Sequence, residues 1–194
     1  MKSLLLVGLV IISSLTFSNK LNAQSSKLIE PEFAGAGIIL HEDSTTEELE
    51  RTKIQYDTKV KGLVNMSVSM NLIVEGCCSS VFVEQSSKPL KVVVRAKDNT
   101  VDPTTIYKVI KLDKDKKGRR TTTLSFVQTK VMSLKAPKSE DKVDELIFSG
   151  KKFGESSYLL SITVTTPGEY VIIESNGPSW TMMNVSTGLF FAVK

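Results

Sequence analysis

Asp98, Asn99 and Asp102 place three oxygen-bearing side chains within five residues of one turn. Ca²⁺ takes about six to eight oxygen ligands, so this trio begins a Ca²⁺ site if backbone carbonyls and water complete it. The same residues have a structural use. Asp98 and Asn99 can cap and bend the turn through side-chain to backbone hydrogen bonds, and Asp102 can open a second turn fixed by Pro103. Asp113 and Asp115 make a weaker pair, because Lys114, Lys116 and Lys117 crowd them with positive charge.

The most basic stretch holds Lys108, Lys111, Lys114, Lys116, Lys117, Arg119 and Arg120. Its charge complements lipopolysaccharide phosphates or an acidic glycan. Charged hairpin tips also serve simply as solvated surface, and edge lysines discourage sheet-to-sheet association. No aromatic residue interleaves with these charges for base stacking, so nucleic acid is not an expected partner. Trp180, the only Trp, lies in a turn from Gly177 to Asn184 beside Met182 and Met183. Together with Tyr107 or Tyr170 it makes the best candidate platform for a sugar ring. The alternative is a plug at one end of the fold.

Cys77 and Cys78 are adjacent, and strand alternation sends adjacent side chains to opposite faces. A bond between them closes a strained eight-membered ring, so two separate thiols are expected, one a small core residue and one at the surface. A catalytic Cys needs a His partner, but His41, the single His, stands alone before an acidic segment. No Gly-x-Ser-x-Gly motif accompanies it, and no catalytic residue is assigned. One His and two Cys supply too few ligands for a common zinc site, and no cofactor motif is present. Two carboxylates from distant strands can still meet for glycoside hydrolysis, with Glu75, Glu84, Glu155, Glu169 and Glu174 as the pool. Glu155, Ser156 and Ser157 between Gly154 and Tyr158 read as a turn whose hydroxyls satisfy backbone groups.

The elements that position these groups are strands. Val64, Met66, Val68, Met70, Leu72 and Val74 stand at strict alternation with mostly small or polar residues between them, the pattern of a half-buried strand. Thr52, Ile54, Tyr56, Thr58 and Val60 alternate upstream, and Gly62 between the two runs marks a hairpin. Further strands are expected at 37–40, 81–84, 90–96, 106–112, 121–127, 146–149, 158–164, 170–174 and 189–193, joined by turn-rich connections. The polar segment from Ala136 to Glu145 reads as a mobile loop. No stretch sustains a 3.6-residue period. The expected fold is therefore all-β: a single antiparallel β-sandwich of about ten strands, jelly-roll or immunoglobulin-like, with little helix.

Residues 1–23 have the form of a secretory signal peptide, with Lys2, an apolar run from Leu4 to Phe17, and cleavage expected after Ala23. That run is too short for the roughly 20 residues a spanning helix needs, so no transmembrane segment is expected in the mature chain. No Cys follows it for lipid attachment, so the chain is expected to be periplasmic or extracellular and not a lipoprotein. Removing residues 1–23 takes Lys2 and Lys20 and no acidic residue, which leaves a net charge of +2 from the original +4. Residues 24–194 then form one domain, long enough to build a core without staples.

Val94-Arg95-Ala96-Lys97-Asp98-Asn99-Thr100-Val101-Asp102-Pro103, Lys152-Phe153-Gly154-Glu155-Ser156-Ser157-Tyr158-Leu159 and Pro167-Gly168-Glu169-Tyr170 occur in this order. Together they resemble a group of small, secreted, uncharacterised proteins of Gram-negative gut-type bacteria. The likeness runs from Ile29-Glu30-Pro31-Glu32-Phe33 to the Phe190-Phe191-Ala192-Val193 end and implies export and a β fold, with no activity attached. The expected role is an exported, non-enzymatic binding or interaction module of the cell envelope, its partner a glycan, an envelope component or a protein. The rivals are a small carboxylate-dependent glycan hydrolase and a structural subunit joined through an edge strand at Leu189 to Val193.

Overall fold

The structure, a computed structural model, describes residues 29–62, 65–130, 138–140, 143–174 and 187–194. The expected signal segment and Trp180, Met182 and Met183 lie outside these residues. The strands are β1 (Gly37–Leu40), β2 (Thr46–Glu48), β3 (Glu50–Lys53), β4 (Gln55–Lys61), β5 (Asn65–Val74), β6 (Phe82–Val83), β7 (Leu90–Arg95) and β8 (Tyr107–Lys114). They continue with β9 (Arg120–Lys130), β10 (Lys138–Glu140), β11 (Glu145–Leu146), β12 (Phe148–Phe153), β13 (Ser157–Ile162), β14 (Gly168–Glu174) and β15 (Thr187–Val193). One helical turn, α1 (Pro103–Ile106), precedes β8.

Two sheets pack together. The first has the order β12-β13-β7-β1-β2, and the second β3-β15-β14-β8-β9-β5-β4, with β6 on β15, β10 on β9 and β11 on β8. Every pairing is antiparallel except that of β6 with β15. β8 and β9 pair only at Asp113↔Thr121 and Lys114↔Arg120, and one of the two sheets is curled into a half-barrel.

The curl explains two apolar runs that do not alternate. Tyr170, Ile172, Phe191 and Val193 face the first sheet, where they meet Ile39, Val92, Val94, Tyr158 and Leu160. Their neighbours Val171, Ile173 and Phe190 face the other way, into the half-barrel, and meet Ile54, Leu72, Val74, Ile110 and Leu124. Strands buried on both faces carry continuous apolar sequence. Phe190 is fully buried, and a side chain of that size contributes about 1.5–3 kcal/mol on leaving water.

The expected hairpin is β4–β5, running from Gln55↔Ile73 to Lys61↔Ser67, with Gly62 at φ +83 beyond its last pair. Two expectations need correction. The segment 136–145 is not simply a loop, because Lys138–Glu140 pairs with β9 and Glu145 begins a strand on β8. Leu189 to Val193 is not a free edge: β15 lies between β14 and β3 and is buried. Its apolar residues hold both cores, so it cannot join a second copy through an open edge.

Candidate functional site

The Asp98–Asp102 trio does not assemble a cation site. The Thr100 N–H (3.0 Å) and hydroxyl (2.6 Å) donate to Asp98 Oδ1. The Thr104 N–H (2.9 Å) and hydroxyl (2.8 Å) donate to Asp102 Oδ1, which caps α1, and Pro103 takes the first helical position. These donors hold both carboxyls below the usual carboxylate range. Asn99 turns its amide to the Gly154 and Ser157 carbonyls, 3.4 and 3.2 Å away. Among the described residues no three His, Cys, Asp or Glu side chains gather to hold a metal.

The aromatic platform is also corrected. Tyr170 is fully buried, stacks on Phe191 at 5.4 Å, and donates its hydroxyl to the Thr166 carbonyl at 2.6 Å. Tyr107 is buried edge-on to Tyr158 at 6.1 Å, and burial pushes its phenol upward. Neither ring can offer a face to a sugar. Both sit at inward strand positions, where alternation directs large rings into the core.

The basic patch shrinks. Lys114, Lys116 and Lys117 are exposed at the β8–β9 tip. Arg119 is spent on Asp115, whose Oδ2 lies 2.7 Å from Nη2 and 2.9 Å from Nε, and on Glu75 at 3.7 Å. Arg120 is not at the surface at all. It is 2% exposed, its guanidinium lies 4.7 Å above the Phe190 ring, and Nη2 donates to Glu50 Oε1 at 2.8 Å. Nη1 stands 3.9 Å from Glu169 Oε2, and neither Nη1 nor Nε finds a hydrogen-bond acceptor.

Glu50 and Glu169 are thus the two acids that converge, but as counter-ions rather than as an acid and a base. Burial works to raise Glu50; the Arg120 guanidinium and the Ser80 N–H outweigh it and hold the carboxyl below its ordinary value. The same carboxylates reach the chain that follows β5: Ser79 N–H donates to Glu169 and Ser80 N–H to Glu50, each at 2.8 Å. In that loop the Cys77 and Cys78 sulfurs are bonded to each other. The expectation of two separate thiols fails because it assumed a strand. β5 ends at Val74, Gly76 turns the chain at φ +91, and both cysteines are exposed.

Glu30 is a second anchor that escaped the sequence reading. Its carboxylate accepts the Glu155 N–H at 2.6 Å and the Ser157 hydroxyl at 2.8 Å, and stands 3.8 Å from Arg95. Gly154, at φ +60, leaves the space this carboxylate fills. So the Ser157 hydroxyl meets a distant carboxylate instead of its own turn.

An open groove of about 720 Å³ lies among the described residues. It is lined by residues of β1, β6 and β7, among them Ile39, Phe82, Val83 and Leu90, together with Val164 and Val193. Lys88 and Glu42, which also line it, pair at 2.6 Å, and this holds the Glu42 carboxyl low. Phe82 is 45% exposed, with the Lys194 ammonium 3.6 Å from its ring centre. The volume falls in the range of small-ligand clefts.

β6 gives this groove a second property. Val81 and Val83 carbonyls accept from Ala192 and Lys194 N–H, and Gln85 N–H donates to the Lys194 carbonyl. In a strand alternate residues turn their backbone groups to opposite sides. The N–H and C=O of Phe82 and Glu84 therefore face away from β15, and β6 has no other partner among the described strands.

Comparison with family models, with curated proteins and with solved structures finds no match to this chain.

Proposed function

We propose that the chain is an exported, non-enzymatic interaction protein of the cell envelope that takes an extended segment of a protein partner beside β6. The observation that carries this reading is the open edge of β6 on the wall of an apolar groove. Strand addition supplies affinity through main-chain hydrogen bonds, while pockets for alternate side chains supply selectivity. Phe82 and the aliphatic lining offer such a pocket; His41, Lys88 and Lys91 add polar groups to it. Export rests on the signal-like residues 1–23 and on the resemblance to secreted proteins.

The test is the melting temperature of residues 24–194 with synthetic peptides of alternating apolar and polar residues, with lipopolysaccharide, with a polysaccharide panel, and with Ca²⁺ or a chelator. A ligand at 100 times its Kd adds about 2.7 kcal/mol, a readable shift. The expected result is a selective rise with peptides. Glu84→Pro, which removes an N–H that the β15 ladder does not use, should keep the basal melting temperature and abolish the rise. A rise confined to a polysaccharide or lipopolysaccharide would overturn the peptide reading.

A further inference from the structure

We propose that the Cys77–Cys78 pair is a reversible exchange site for an external thiol, acting in the folded protein. Three observations lead there. The bond links neighbours in sequence, so it closes no length of chain and restrains the unfolded state far less than a long-range bridge. It is therefore not a staple of the fold. Both cysteines are exposed on a bend, and nothing lies within 4 Å of the side-chain position at Gly76 beside them. An attacking sulfur has an open approach.

The loop is also held without the bond. Upstream, Glu75 lies 3.7 Å from Arg119. Downstream, the Ser79 and Ser80 N–H groups are fixed on Glu169 and Glu50. Opening the ring leaves these anchors in place, so the chemistry stays local.

The exchange balances as follows. A thiolate of the external thiol attacks one sulfur of the pair, the Cys77–Cys78 bond breaks, and the other sulfur leaves as thiolate. A second external thiolate then attacks the sulfur of the first in the mixed disulfide. Two external thiols become one disulfide, and their two electrons and two protons leave Cys77 and Cys78 as thiols.

The test uses the mature chain as purified in air. No thiol should react with Ellman's reagent at first, and two per chain should react after dithiothreitol, with an unchanged circular dichroism spectrum. Reoxidation should be first order, independent of protein concentration, and free of linked dimers. Cys77→Ser and Cys78→Ser, exposed to oxidised glutathione, should each gain the mass of one glutathione. The Cys77→Ala/Cys78→Ala variant should keep the spectrum and gain none. Two thiols that stay free in oxidised glutathione would overturn the proposal. So would a bond reduced only when the chain unfolds, since that places it in the structural framework.

Discussion

Two irregular segments of this protein are held by carboxylates in opposite ways. In the turn from Asp98 to Thr105, Asp98 and Asp102 each bind the N–H and hydroxyl of a threonine two residues on. In the loop from Glu75 to Val81, the Ser79 and Ser80 N–H groups bind Glu169 and Glu50, 90 and 30 residues away. The first arrangement stands in solvent and closes on itself. The second gathers four distant pieces of chain round one buried guanidinium. The contrast teaches that similar hydrogen bonds differ in weight according to what else depends on them.

Arg120→Met breaks the comparison at its strongest point. Removing one member of a buried ionic group leaves the others unpaired and costs about 3–5 kcal/mol. Glu50 and Glu169 would face each other without their cation, and the Ser79–Ser80 segment would lose its fixed acceptors. The expected result is a lower urea midpoint with an unchanged slope. A loss below about 1 kcal/mol would show that the guanidinium is not the centre of this region.

Glu50→Gln sharpens the same contrast through pH. The folded carboxyl lies below its ordinary value of 4.5, so the unfolded chain binds more protons. Stability from this group is then fully present above about 4.5 and is lost as pH falls through the lower folded value. The wild type should lose melting temperature progressively below pH 4.5. The variant should start about 1.5–3 kcal/mol less stable, the range for a hydrogen bond to a charged group, and show a shallower acid decline. Equal slopes for the two would assign the decline to other carboxylates.

These two segments also differ in how much of them the sequence discloses. Asp98, Asp102 and Pro103 announce their turn because each partner lies within a few residues, and side-chain to backbone capping is local physics. The β4–β5 hairpin is equally visible, since the period of two and Gly62 are both written in consecutive residues. Glu50, Arg120 and Glu169 leave no such trace, because their meeting depends on how the second sheet curls. One hint exists: alternation through Leu124 and Thr122 puts residue 120 on the inward face, against the charge that suggested surface. The groove depends in the same way on how the ends of β1, β6 and β7 come together across the sandwich, which no local pattern records.

Tyr158→Phe probes one of the two long-range ties of the first segment, the other being the Asn99 amide on the Gly154 and Ser157 carbonyls. The Tyr158 hydroxyl donates to the Val101 carbonyl at 2.7 Å, and burial pushes this phenol upward. Its removal should cost about 0.5–1.5 kcal/mol, because the ring stays buried and one neutral hydrogen bond is lost. The loss should be smaller than for Glu50→Gln.

Asp102→Ala should have the smallest effect and is the sharpest check on the contrast. The substitution removes the acceptor for the Thr104 N–H and hydroxyl, yet both groups stand at the surface and water can replace the carboxylate. Pro103 still fixes the first helical residue, and Tyr158 and Asn99 still hold the turn from the other side. Melting temperature should therefore fall slightly, by less than for Tyr158→Phe. Added Ca²⁺ should not raise it in either wild type or variant. A fall as large as that of Arg120→Met would mean that the turn is not self-contained. Loss of a Ca²⁺ response present in the wild type would return the trio to the role of cation ligands. The prediction follows from where the two carboxylate systems sit: one is surrounded by substitutes for every bond it makes, and the other has none.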